Sequence, residues 1–96
     1  MARTKMTAAK VAESMAGAKG WKLDGEGGAI SKQFTMKDHI AALGFVVKVA
    51  TIAETLDHHP EVNWVYNKVQ FTLSTHDAGG LTPRDFELAA RIDGAK

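Results

Sequence analysis

The sequence predicts an α+β fold in the order α-β-β-α-β-β-α, a four-stranded antiparallel sheet with its helices packed on one face. Two observations carry this. Short alternating segments occur in two pairs, each joined by a tight turn, and segments with apolar spacings of three and four precede, separate and follow them. Hairpins with helices between them give antiparallel sheets, because a two-residue turn cannot return a parallel strand.

The first helix is expected from Thr7 to Ala18, capped by Thr7, with Val11 and Met15 on one face and Gly20 ending it. "GWKLDGEGGAISKQF" follows as a hairpin. Trp21 and Leu23 alternate with Lys22 and Asp24, the turn lies at Gly25–Gly28, and Ile30, Lys32 and Phe34 alternate with Ser31 and Gln33. The glycines precede a strand, which makes them a turn and a poor phosphate loop.

The central helix begins at "TMKD", with Thr35 as N-cap and Asp38 three residues on. Met36, Ile40, Leu43, Val47 and Ala50 form its apolar stripe, widened by Phe45, Val46, Val49 and Ile52. A stripe this wide suits contact with the sheet and with a second body, such as another subunit. Gly44 costs about 1 kcal/mol against alanine in mid-helix, so a close approach is expected there. Pro60 should end the helix, since its ring disfavours helical backbone at His59.

"VNWVY" then turns near Asn67–Lys68 into "VQFTLSTH". There Val69, Phe71, Leu73 and Thr75 face one side, and Gln70, Thr72, Ser74 and His76 the other. The last helix starts with Thr82 at N-cap, Pro83 at N1 and Asp85 at N3, and Leu88, Ala89 and Ile92 supply its core face.

The chain has 96 residues, enough for a single domain, with residues 1–6 read as a loose tail. It contains no cysteine, which excludes disulfides, thiolate metal sites and cysteine nucleophiles. Formal net charge is +1, and the basic residues are scattered apart from Arg3, Lys5 and Lys10, so direct nucleic-acid binding is not expected. No continuous apolar run approaches the roughly 18 residues of a membrane span. No secretory h-region is visible at the start. A cytoplasmic protein without a membrane partner is the expectation.

The chemistry gathers at element ends. His58 and His59 stand side by side before Pro60, His76 closes the last strand, and Asp85 opens the last helix. Glu54 and His58, four apart, would share a helical face if the helix reached that far. Imidazoles with carboxylate orienters are the equipment of general acid–base catalysis. A three-histidine zinc site is conceivable, but adjacent residues rarely aim both rings at one ion, and none is expected. His39 reads as a surface residue, and Trp64 and Tyr66 as packing on one strand face.

The stretch "ETLDHHPEVNWVYNKVQFTLSTHDAGGLTPRD", from Glu54 to Asp85, resembles the signature of the pterin-4a-carbinolamine dehydratases. That signature runs from an acidic residue through His-His-Pro, an aromatic and a third His to an Asp, and every element occurs here at matching spacing. The likeness extends outward through "GW", "FTMKDH" and "LAARID", covering roughly Gly20 to Asp93. One departure is Val62 where the family often has Trp, with Trp64 two residues later.

The resemblance implies dehydration of 4a-hydroxytetrahydropterin to quinonoid dihydropterin and water. That supports recycling of the tetrahydropterin used by aromatic amino acid hydroxylases. It implies no metal and no cofactor. His58, His59 and His76 would be the catalytic residues in one pocket, with Glu54 supporting His58 and Asp85 supporting His76. Pro60, Trp21 and Thr75 are expected beside the pterin substrate. A homo-oligomer, dimer or tetramer, is expected. The alternative function is that of a dimerisation cofactor for a transcription regulator.

Overall fold

The structure is a computed structural model and describes residues 4–96. Arg3, one of the basic residues near the start, lies outside the described residues. The elements are α1 (Ala8–Gly17), β1 (Lys22–Leu23), β2 (Ile30–Thr35), α2 (His39–Leu56), β3 (Glu61–Val65), β4 (Lys68–Leu73), a 3-10 turn (His76–Ala78) and α3 (Pro83–Ala95). All strand pairs are antiparallel, in the order β1-β2-β4-β3. The expected fold class and element order are both present.

Alternation decides which sheet face is covered. Ile30 and Phe34 of β2 and Val69, Phe71 and Leu73 of β4 are buried beneath the helices. Phe34, Phe45 and Phe71 meet edge-on, with centroids 5.0 to 6.0 Å apart, the geometry that aligns ring edges with ring faces. Lys32 lies on the same face and runs outward over Phe34 to Asp93, 2.8 Å away. The opposite sheet face is polar, with Gln33, Glu61 and Asn63 exposed.

Three details of the helices differ from the sequence reading. The N-cap of α2 is Asp38, whose carboxylate accepts from Ala41 N at 2.8 Å, in place of Thr35. Thr35 remains in β2, where it pairs with Lys68. At its other end α2 stops at Leu56, before Pro60 can act, because Asp57 adopts the left-handed conformation (φ 52°) and turns its N–H back to Ala53 and Glu54. The third difference is in the apolar faces. Ala42, Phe45, Val49 and Ala53 face the sheet, while Ile40, Leu43 and Val47 of the expected stripe are 71, 43 and 55% exposed. Among the described residues nothing lies within 4 Å of where a Cβ on Gly44 would sit.

By length and composition α2 could also cross a membrane, with a mean hydropathy of 1.5. Lys48 and Glu54 interrupt its apolar run. In the fold α2 packs on the sheet and on α3. Met6, placed in the tail, donates from its backbone to Leu81 O at 2.8 Å and packs on the core. The β3–β4 turn falls at Tyr66–Asn67, with Tyr66 at φ 54°. His39 stacks on Trp64 (4.8 Å) and bonds to Tyr66 O, so these residues fasten the start of α2 to the hairpin.

Candidate active site

The corner where α2 ends builds the site. Because Asp57 reverses the chain, His58 leaves the helix and turns toward the start of α3. Its Nε2 lies 2.6 Å from Asp85 Oδ1, with the carboxylate fully buried and the imidazole nearly so. Asp85 Oδ2 accepts from Thr75 Oγ1 (2.8 Å) and from Thr82 N (2.9 Å). Thr75 gives its only hydroxyl proton to Asp85, so Thr82 must donate in the 2.8 Å Thr75–Thr82 contact. Thr82 Oγ1 in turn accepts from Arg84 N as the helix cap.

Protons can be placed from this network. Both partners of Asp85 Oδ2 donate, and the carboxylate has no donor of its own to offer. Nε2 of His58 therefore carries hydrogen, and Nδ1 is the nitrogen left for exchange. A buried carboxylate with three donors is compensated, as an isolated one would not be.

His59 points the other way. Its Nε2 meets Glu54 Oε1 at 2.8 Å on the surface, with side chains 57 and 81% exposed. At that exposure the pair orients the ring and adds little stability.

These contacts correct the expected pairing. Glu54 partners His59, and Asp85 partners His58; the sequence reading had Glu54 with His58 and Asp85 with His76. The reason is the early end of α2, which takes His58 off the face it would have shared with Glu54. Among the described residues the imidazole of His76, at the head of the 3-10 turn, has no hydrogen-bond or ion-pair partner.

His59 and His76 line one open cavity of about 250 Å³ together with Glu61, Thr72, Ser74 and the β1–β2 turn. His58 does not line it. It lines a neighbouring hollow with Thr55, Leu56, Arg84 and Glu87. The structure thus brings two of the three histidines to one cavity and holds the third in a separate hollow, on Asp85.

The three expected substrate contacts sit elsewhere. Trp21 is buried in the core, its Nε1 donating to Asp93 Oδ2 at 3.1 Å, because an indole N–H taken out of water needs an acceptor. Thr75 is spent on Asp85 and Thr82, and Pro60, half-buried and next to His59 in sequence, does not line the cavity. The sequence reading missed Asp24, Glu26, Glu61, Thr72 and Ser74. Thr72 and Ser74 could have been found, since they alternate onto the face of His76. Among the described residues no group of His, Asp and Glu converges closely enough to hold a metal ion.

Comparison with known proteins places the chain in one family. The sequence profile of the family described as "Pterin 4 alpha carbinolamine dehydratase" matches residues 4–95. A protein of Sinorhizobium medicae assigned as a pterin-4-alpha-carbinolamine dehydratase is 50% identical over 91 residues, covering 95% of this chain and 87% of the relative. One from Chloroflexus aurantiacus, assigned likewise, is 44% identical over 89 residues, 93% of this chain and 94% of its own. A crystal structure from Brucella melitensis, described as a transcriptional coactivator/pterin dehydratase, superposes with a TM-score of 0.92. It is 35% identical and covers 96% of this chain and 98% of that one.

Proposed function

The chain belongs to the pterin-4-alpha-carbinolamine dehydratase family of hydro-lyases, and from that premise we propose that it dehydrates 4a-hydroxytetrahydropterin by histidine acid–base catalysis. The reaction breaks the C4a–O bond and removes the N5 proton. The hydroxyl leaves as water once an imidazolium has protonated it, and an imidazole takes the proton from N5. A C4a=N5 double bond is left, and no redox change occurs.

The observation that carries this reading is the cavity shared by His59 and His76, two imidazoles remote in sequence on one wall. They are the groups we assign to proton exchange with substrate. His58, outside that cavity, has a supporting role, with Asp85 holding its Nε2–H, and Glu54 aims His59. Thr75 acts by positioning Asp85. The product is a quinonoid dihydropterin, the form that recycling to the tetrahydropterin cofactor of aromatic amino acid hydroxylases requires.

The test is the rate of quinonoid dihydropterin formation from freshly generated 4a-carbinolamine. Alanine at His58, His59 or His76 should lower kcat by about 10²–10⁴-fold. Undiminished turnover in all three variants refutes the assignment.

A second reading rests on the exposed side of α2. Ile40, Leu43 and Val47, with Gly44 beside them, form an apolar face that a homo-oligomer, dimer or tetramer, would cover. The same face could serve a transcription regulator as partner. Val47→Glu should dissociate the assembly in sedimentation. Catalysis retained in the dissociated variant would support a separable binding role, and unchanged assembly would refute the interface.

A further inference from the structure

The lining of the cavity shared by His59 and His76 is also acidic. Asp24 and Glu26 of the β1–β2 turn and Glu61 of β3 line it, and none of the described residues lining it is Lys or Arg. The turn is fixed in place. Asp24 Oδ1 accepts from Gly28 N at 2.9 Å, Asp24 N donates to Ala29 O, and Ser74 Oγ donates to Gly28 O at 2.7 Å. Ser74 belongs to the chain that carries His76, so the carboxylates and the imidazole are held by one scaffold. Glu61 is fixed by its register opposite Thr72, also in the wall.

Resting on the pterin reading above, we propose that these carboxylates set the substrate's side chain: the cavity accepts pterins with uncharged side chains and discriminates against those carrying phosphate. The bicyclic ring offers donors, an amino group and ring N–H groups, that a carboxylate-rich wall can accept. A phosphorylated side chain brings about two negative charges to a cavity lined by three carboxylates and, among the described residues, by no Lys or Arg, so that the one imidazolium catalysis needs offsets them only in part. With charges about 8 Å apart in water and screening at roughly 0.15 M salt, a phosphate ester should bind about tenfold more weakly than the parent alcohol.

The test measures dissociation constants by calorimetry on the full chain, for 6-hydroxymethyl-7,8-dihydropterin and its phosphate monoester. The expected result is a gap of about tenfold that widens at low salt and narrows to about twofold in the double variant Glu26→Gln, Glu61→Gln, which keeps Asp24. Equal affinities in the wild type overturn the inference, as does a gap the double variant leaves intact. Failure of the uncharged pterin to bind at all overturns the pterin reading as well, and turnover of the carbinolamine distinguishes the two failures.

Discussion

Asp85→Asn should invert the tautomer of His58. The carboxylate accepts three hydrogen bonds, two of them at Oδ2 from Thr75 Oγ1 and Thr82 N. An asparagine keeps those two by placing its oxygen there. Its amide nitrogen then faces His58 Nε2, where the 2.6 Å contact now lies. Two donors cannot share that contact, so Nε2 must lose its hydrogen and accept, and Nδ1 becomes the protonated nitrogen. A charge-assisted bond worth about 1.5–3 kcal/mol becomes a neutral one of about 0.5–1.5. The net loss is about 1–2 kcal/mol, which in a domain of this size lowers Tm by about 5–15 °C. Nitrogen-15 NMR of the imidazole at alkaline pH reads the tautomer directly, calorimetry reads Tm, and turnover reads whether the His58 tautomer bears on catalysis. If His58 keeps Nε2–H in a folded variant, the proton assignment made from the network is wrong.

Thr75→Val, nearly isosteric, leaves the Thr82 hydroxyl proton without its acceptor and Asp85 one donor short; urea denaturation should find a loss of about 1–3 kcal/mol, and unchanged stability would mean the buried network does not form. Arg84→Met removes the two guanidinium bonds to Leu56 O and Asp57 O, 2.6 and 2.8 Å, that tie α3 to the end of α2. Amide exchange should speed up in the last turn of α2, with about 1–3 kcal/mol lost overall. Trp21→Phe deletes the bond to Asp93 and trims a buried indole to a phenyl, so it should cost about 1–3 kcal/mol. KM should stay put; a large rise in KM would return Trp21 to the substrate site.

Local signals were legible where one residue's chemistry decides the outcome. Thr82, Pro83 and Asp85 announced the start of α3, and its capping box forms as expected. The alternation from Val69 to Leu73 gave the buried face of β4. The end of α2 was not legible, because a left-handed C-cap is usually glycine or asparagine and here it is Asp57, which leaves no mark. Pro60 was the visible stop, but it lies beyond the real one. That small displacement exchanged the partners of His58 and His59. The facing of α2 was hidden for a different reason. The helix is apolar nearly all round, so periodicity could not choose a side, and the sheet takes the face with small Ala42 and Ala53, which lets the helix lie close. The acidic wall of the cavity depends on β2 pairing with β4 at Ile30↔Leu73, which brings Gly28 to Ser74, a long-range fact that no local pattern encodes.

Asp85 shows why this corner resists piecemeal change. As N3 of α3 it accepts from Thr82 N, completing the cap. As a buried acceptor it holds Thr75, which bridges to Gly80 just beyond β4 and so closes the loop that begins with His76. As the partner of His58 it fixes the orientation of an imidazole that comes from the far end of α2. The three elements meeting there are thus joined by one carboxylate, and replacing it changes helix capping, loop closure and proton placement at once. A substitution that only stabilised the core would leave that geometry alone; for this reason the variants that separate fold from chemistry are those at His59 and His76, whose rings lie on the cavity wall outside the buried network.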